Sequence, residues 1–170
     1  MTTFTPTVQL RLQDLPNDPA FHLDQLLDLL ATVPDGYPTK RLTLPDGEPG
    51  WELDLASSYT LKLNPQYQCG WQEAGDGPLL TALTSRLGDS RGRLRLHNRI
   101  ERRIIPSENG SETEKIVVWD AKVTLGGLPL FASEDTDTTP RTGCKGETKG
   151  HDDPGIAVLV AYLCAWGVLE

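Results

Sequence analysis

A run of alternating basic and apolar side chains most constrains the fold of this chain. From Arg93 to Ile104 the even positions carry mainly leucine and isoleucine, and the odd positions carry mainly arginine. Successive side chains of a β-strand point to opposite faces of the sheet, so this period of two predicts a long strand with one apolar and one basic face. The segment 106–111 that follows is rich in turn-forming residues, which predicts a long hairpin.

The returning strand has the same period of two. Its apolar side chains that share one face are Val117, Trp119, Ala121, Val123 and Leu125. Beyond Gly126-Gly127, the segment 128–132 predicts a third strand, and the polar, acidic segment 133–153 predicts a mobile loop.

The last segment of the chain predicts a buried helix. Asp152 or Asp153 supplies a capping side chain, and Pro154 suits the first helical position. From Ile156 to Trp166 apolar side chains occupy nearly every direction around the helix axis. Such a helix is buried on most sides or lies at a subunit interface.

The first part of the chain contains shorter elements. Alternation predicts a first strand at 8–12, and a cap before Pro19 predicts a helix that ends before Pro34. A second helix is predicted from Gly77-Pro78 to Leu87. Alternation with intervening turns also predicts a small antiparallel unit with strands at 41–44, 51–55 and 59–63.

These elements predict an α+β fold. The expected architecture is an antiparallel sheet with a long hairpin, helices packed on one face, and a β-β-β-α core. A length of 170 residues fits a single domain, 1–170. Within it we expect an N-terminal strand-helix-hairpin portion at 1–74 and the β-β-β-α core at 75–170.

The charge of the chain is unevenly distributed. The formal net charge is −8, yet six of the sixteen basic residues lie between 91 and 103. Binding that coats nucleic acid draws its affinity from many phosphate contacts, so the acidic balance argues against it. A local basic surface remains compatible with the composition.

Other sequence signals indicate a soluble cytoplasmic protein. The three cysteines are widely spaced and form no Cys-x-x-Cys pair, which favours reduced thiols. The first residues lack the pattern of a signal peptide. The apolar run 156–169 is too short to cross a hydrocarbon layer of ~30 Å, so we expect no membrane contact.

The basic face of the predicted strand is the main candidate site. Its arginines are spaced about 7 Å apart on alternate residues, a geometry able to follow a phosphate backbone. We predict nucleic-acid contacts by Arg93, Arg95, Arg99 and Arg103. The alternative is a solvated face on which these arginines pair with the nearby acids Glu101, Glu112, Glu114 and Asp120.

The segment 143–150 adds two lysines to this hypothesis. Lys145 and Lys149 are candidate phosphate contacts, although a flexible loop is the alternative interpretation. The segment lacks the sequence of a nucleotide-binding loop. The segment 151–153 and Cys144 include metal-ligand residue types, but an aspartate there is needed as a helix cap. We therefore predict no metal, no cofactor and no enzymatic activity, since no nucleophile and base pair up.

Several short motifs follow one another in the second half of the chain. They are Leu87-Gly88, Asn109-Gly110, the segment 122–127, the segment 133–135, Lys145-Gly146 and 166–168. In the order of these motifs, over about residues 76–168, the chain resembles the single-strand annealing recombinases, the eukaryotic Rad-type proteins and their phage and bacterial relatives.

The resemblance implies a β-β-β-α core, assembly into rings or filaments, and a basic groove that holds single-stranded DNA while complementary strands pair. One position departs from the family. The closing helix of the family carries a Lys-Arg pair that grips the DNA backbone, and Val160 and Ala161 stand at about these positions here. The same element order also fits a double-stranded-RNA-binding-like module.

Two functional hypotheses follow. The first is an oligomeric protein that binds and anneals single-stranded DNA in recombination or repair. The second is an acidic protein-interaction module, an inhibitor or accessory factor of a mobile element, that has lost DNA binding and acts through a protein partner.

Overall fold

The computed structural model describes residues 2–3, 6, 10–15, 19–55, 60–65, 78–126, 138–139 and 143–170. The helices are α1 (Pro19–Thr32), α2 (Pro78–Asp89) and α3 (Pro154–Trp166), and a 3-10 turn spans Leu12–Asp14. The strands are β1 (Thr2–Thr3), β2 (Thr39–Thr43), β3 (Pro49–Asp54), β4 (Thr60–Leu63), β5 (Arg93–Ser107), β6 (Gly110–Thr124), β7 (Thr138–Thr139) and β8 (Lys145–His151).

These strands form two antiparallel three-stranded sheets and one short parallel pair. The orders are β2-β3-β4, β5-β6-β8 and β1-β7. Helices pack against the sheets, so the predicted α+β class with its long hairpin is confirmed. The predicted small antiparallel unit is also confirmed, as β2, β3 and β4.

The long hairpin follows from the alternation and from its turn. Strands β5 and β6 stay in register from the pair Arg93 and Thr124 to the pair Ser107 and Gly110. Gly110 has a φ of 121°, a conformation that residues with a Cβ rarely adopt. The turn therefore depends on this glycine.

Helix α3 lies at the centre of the hydrophobic core. The Asp153 side chain accepts a hydrogen bond of 3.0 Å from the Ile156 N–H, and Gly167 ends the helix with a φ of 78°. The helix contacts α1, α2, β6 and β8, and all but one of its residues are buried. The chain itself buries this apolar surface, so α3 gives no reason to expect a subunit interface, and an oligomer stays a prediction.

Two predictions were wrong at particular residues. Within the predicted mobile loop 133–153, residues 138–139 form strand β7 and residues 145–151 form strand β8. Leu12, predicted to end a strand, begins the 3-10 turn instead. Next to the 3-10 turn, Leu10 forms an isolated parallel bridge with Leu169. The predicted third strand at 128–132 lies outside the described residues.

Strand β8 was missed because its inward positions carry small or polar side chains. Gly146 and Thr148 face α3 and are buried, whereas Lys145, Glu147 and Lys149 are exposed. At Gly146 an added Cβ would lie 1.9 Å from the Ala161 carbonyl oxygen. Glycine is required here because the helix backbone lies directly against the strand.

A buried polar network joins the first part of the chain to α2 and α3. The Arg86 side chain is 0% exposed and donates to Asp35 Oδ2 at 3.1 Å. It also donates to the Asp54 carbonyl oxygen at 2.9 Å and to Thr39 Oγ1 at 3.1 Å. The Tyr162 hydroxyl donates to Asp35 Oδ2 at 2.8 Å.

Burial raises the pKa of Asp35, and the charge of Arg86 opposes that rise. The carboxylate is therefore held in an apolar interior by its partners.

Among the described helices, none has the length and apolar character needed to span a bilayer.

We predict that Gly146→Ala destabilises the protein by about 3 kcal/mol, because the new methyl group overlaps the α3 backbone. The control is Gly88→Ala, where an added Cβ has no atom within 4 Å. This helical substitution should change stability by ~0 to 1 kcal/mol in the favourable direction. Urea unfolding of both variants checks the expectation, and equal midpoints would contradict it.

We predict that Arg86→Met lowers the free energy of unfolding by about 3–5 kcal/mol, because it leaves Asp35 buried without its cation. Adding Asp35→Asn to this variant should recover part of the loss, since the second change removes the unpaired carboxylate. Thermal and urea unfolding measure both steps. A variant with parental stability would show that the network is dispensable.

Candidate functional site

One face of the sheet β5-β6-β8 points away from α3 and carries most of the sheet's basic side chains. Ala121, Val123 and Gly146 fill the face against α3, so the alternate positions of each strand lie on the other side. We call this other side the basic face. Its cations and its histidine are Arg93, Arg95, His97, Arg99, Arg103, Lys122, Lys145 and Lys149.

The register aligns cations of the three strands in rows across the sheet. Thr124 of β6 is paired with both Arg93 and Lys145, and Lys122 is paired with both Arg95 and Glu147. Two rows of side chains therefore cross the face at the end of the hairpin nearest the core. One row is Arg93, Thr124 and Lys145, and the other is Arg95, Lys122 and Glu147. All six basic residues predicted from the sequence lie on this face, but their surroundings differ.

Near the middle of the hairpin, acidic side chains neutralise the arginines. Arg99 pairs with Glu101 and donates from Nε to Asp120 Oδ2 at 3.1 Å. His97 Nε2 lies 3.2 Å from the same Asp120 oxygen. Arg103 Nη2 lies 3.0 Å from Asp152 Oδ1.

Asp120 is the acceptor that organises this middle region. Its Oδ1 accepts a 2.7 Å hydrogen bond from the Gly150 N–H. This backbone donor, followed by Arg99, lowers the pKa of Asp120. The carboxylate therefore remains charged at neutral pH and continues to balance Arg99.

At the core end of the basic face, the cations outnumber the acids. Arg93, Arg95, Lys145 and Lys149 are exposed, and no ion pair holds them within the described part of the chain. Lys122 Nζ lies 2.8 Å from Glu147 Oε1. Lys122, and to a smaller degree Lys149, lower the pKa of Glu147.

Two adjoining clefts open on this end of the face. The first is about 270 Å³ and is lined by Arg93, Arg95, Lys122, Thr124 and Lys145. The second is about 430 Å³, and its lining includes Arg95, His97, Lys122, Glu147 and Lys149. Arg95 and Lys122 border both clefts, so one extended anionic ligand can contact both.

The alternation placed these arginines on one face of a strand, as the structure has them, but it did not distinguish them by their acidic partners. The structure separates Arg93 and Arg95 from Arg99 and Arg103, whose charges are balanced by acids. Lys122 was not among the predicted contacts, although its alternation with the buried Ala121 and Val123 indicated its direction. The partner of Arg103 is Asp152, a residue that the sequence indicated as a helix cap or a metal-ligand type but not as the partner of an arginine.

The departure at the closing helix also has a structural explanation. Val160 and Ala161 are buried in α3, on the face of the sheet opposite to the basic face. A cation at either position would lie in the core rather than near a ligand on the basic face. Among the described residues, the cations of this face all belong to the strands.

The described residues contain no cluster of three or more histidine, cysteine, aspartate or glutamate side chains able to hold a metal ion. Comparisons of the chain with protein-family models, with curated proteins and with solved structures found no match.

Proposed function

We propose that this protein binds single-stranded DNA on its basic face and acts as a strand-holding or annealing protein in recombination or repair. The observation that carries the proposal is the excess of exposed cations at one end of that face. Arg93, Arg95, Lys145 and Lys149 surround two clefts, and none of these four side chains forms an ion pair with a described residue, whereas Lys122 pairs with Glu147.

The spacing of these cations suits a phosphate backbone. Arg93 and Arg95 are separated by about 7 Å along β5, and β8 lies about 10 Å from β5 across the sheet. Guanidinium groups make paired hydrogen bonds to phosphate oxygens, and lysines supply point charges beside them. The patch therefore contacts a few consecutive phosphates rather than a long tract.

The acidic remainder of the protein supports a single binding orientation. With a net charge of −8, most of the surface repels a polyanion, whereas the core end of the basic face attracts it. His97 is exposed beside this patch and offers a ring on which a base can stack. Binding of this type is sensitive to salt and weakly dependent on sequence.

One observation favours the alternative function. Val160 and Ala161 are buried, so α3 cannot supply the DNA grip that the family resemblance implies. A relative that lost this grip serves as a protein-interaction module instead. That alternative predicts that no substitution on the basic face changes the retention of nucleic acid.

We predict that the double variant Arg93→Gln, Arg95→Gln weakens binding of a labelled oligothymidine by about tenfold or more. Two phosphate contacts are lost, so the slope of log K against log salt should become shallower by about 1.4. Fluorescence anisotropy at low and moderate salt measures both quantities. Absence of binding by the parent protein at tens of micromolar would refute the proposal.

The matched control is Arg99→Gln, Arg103→Gln, which removes the same formal charge from the same strand. These side chains already pair with Asp120, Glu101 and Asp152, so we expect a loss of less than about threefold. Equal losses in the two double variants would show a diffuse charge effect and would contradict a localised site.

A further inference from the structure

The hairpin extends well beyond the helix that covers it. Strands β5 and β6 have 15 residues each, about 50 Å, whereas α3 has 13 residues, about 20 Å. On the face that packs against α3, Leu94 and Leu96 contact the core. Farther along the same face, Ile100, Ile104 and Val117 are 69%, 76% and 50% exposed. We call the part of this face from 100 to 104 and from 113 to 117 the arm surface.

The arm surface follows a simple pattern along its length. Ile100 lies opposite Val117, Arg102 opposite Lys115, and Ile104 opposite Thr113. Like charges directly opposite each other on one face of a sheet are destabilising. The pair Arg102 and Lys115 is therefore a site of unbalanced positive charge. It lies between the apolar pair Ile100 and Val117 on one side and Ile104 on the other.

No acidic side chain of the hairpin strands shares this face. The register puts Glu101, Glu112, Glu114 and Asp120 on the opposite face, at odd positions of β5 and even positions of β6. Arg102 and Lys115 are both exposed, and neither has an ion pair within the described residues. The arm surface therefore combines exposed apolar side chains with two cations that form no ion pair among the described residues.

We propose that the arm surface binds an acidic segment of a partner protein, in which an acidic side chain lies between two apolar ones. Arg102 and Lys115 would contact the acidic side chain. Ile100 and Val117 would bury one of the flanking apolar side chains, and Ile104 would bury the other. The steps along the arm are about 7 Å apart, the spacing of alternate residues in an extended peptide. This inference goes beyond the proposed DNA binding, because it concerns the opposite face of the hairpin.

Charge determines the choice of occupant. If two copies of the chain met symmetrically through this surface, Arg102 and Lys115 of one copy would approach the same cations of the other, which disfavours the contact. Burial of exposed isoleucines is favourable at about 25 cal/mol per Å², but only a partner that brings negative charge also relieves the cation pair.

The test uses a fluorescein-labelled peptide with leucine, glutamate and leucine at alternate positions separated by serine. Anisotropy with the full chain should show saturable binding, and a peptide with lysine in place of glutamate should bind at least about tenfold more weakly. The double variant Ile100→Ser, Ile104→Ser should weaken binding of the glutamate peptide about tenfold or more. The matched control is Ile105→Ser, a residue of the other face that is 37% exposed.

A charge swap provides the decisive test. Arg102→Glu with Lys115→Glu should reverse the preference, so that the lysine peptide binds more tightly than the glutamate peptide. The substituted side chains are exposed, and thermal unfolding should confirm that each variant is folded. Oligothymidine binding should remain parental in the serine variants, which separates this proposal from the proposed function.

Three outcomes would overturn the inference. One is no binding of the glutamate peptide by the parent protein. Another is binding that the serine and charge-swap variants leave unchanged. The third is self-association of the parent, measured by light scattering, that disappears in the Ile100→Ser, Ile104→Ser variant, since the occupant would then be a second copy of the chain.

Discussion

The buried ion pair between Arg86 and Asp35 is the interaction on which the rest of the structure depends. Both groups lie in the interior. Removing one partner from such a pair leaves the other charge buried and unpaired, so its desolvation cost is no longer offset. The pair is satisfied only when α2, the segment 35–39, the end of β3 and Tyr162 of α3 meet at one point. Their meeting fixes the position of α3, and α3 in turn fixes β8 through the close contact at Gly146.

This arrangement separates the two faces of the long hairpin. Helix α3 covers one face as far as its length allows, and the side chains beyond its end remain exposed. The other face carries the cations, and acids from β5, β6 and the α3 cap region neutralise those near the middle of the hairpin. The result is a localised positive patch near the core on one face, and a mixed apolar and cationic surface near the tip on the other.

Sequence periodicity predicted the parts of this fold in which side-chain type follows burial. The β5-β6 hairpin and α3 are such parts, because leucine, isoleucine and valine mark their inward faces. Strand β8 was missed since its inward residues, Gly146 and Thr148, have no apolar bulk to reveal the period. Local charge balance was also beyond sequence reasoning, because Arg103 pairs with Asp152 across 49 positions of the chain. The exposure of Ile100 and Ile104 depends on the relative lengths of a helix and a hairpin, which periodicity does not encode.

The central claim is that only the cations without acidic partners contact DNA. The salt dependence of oligothymidine binding by the unmodified protein tests it most directly, because the slope of log K against log salt counts the neutralised phosphates. Four contacts, by Arg93, Arg95, Lys145 and Lys149, predict a slope of about −3 at ~0.7 per phosphate. A slope near zero would contradict an electrostatic site. A slope near −5, at the same ~0.7 per phosphate, would mean that the paired cations Arg99, Arg103 and Lys122 also contact DNA, and would contradict their separation from Arg93 and Arg95.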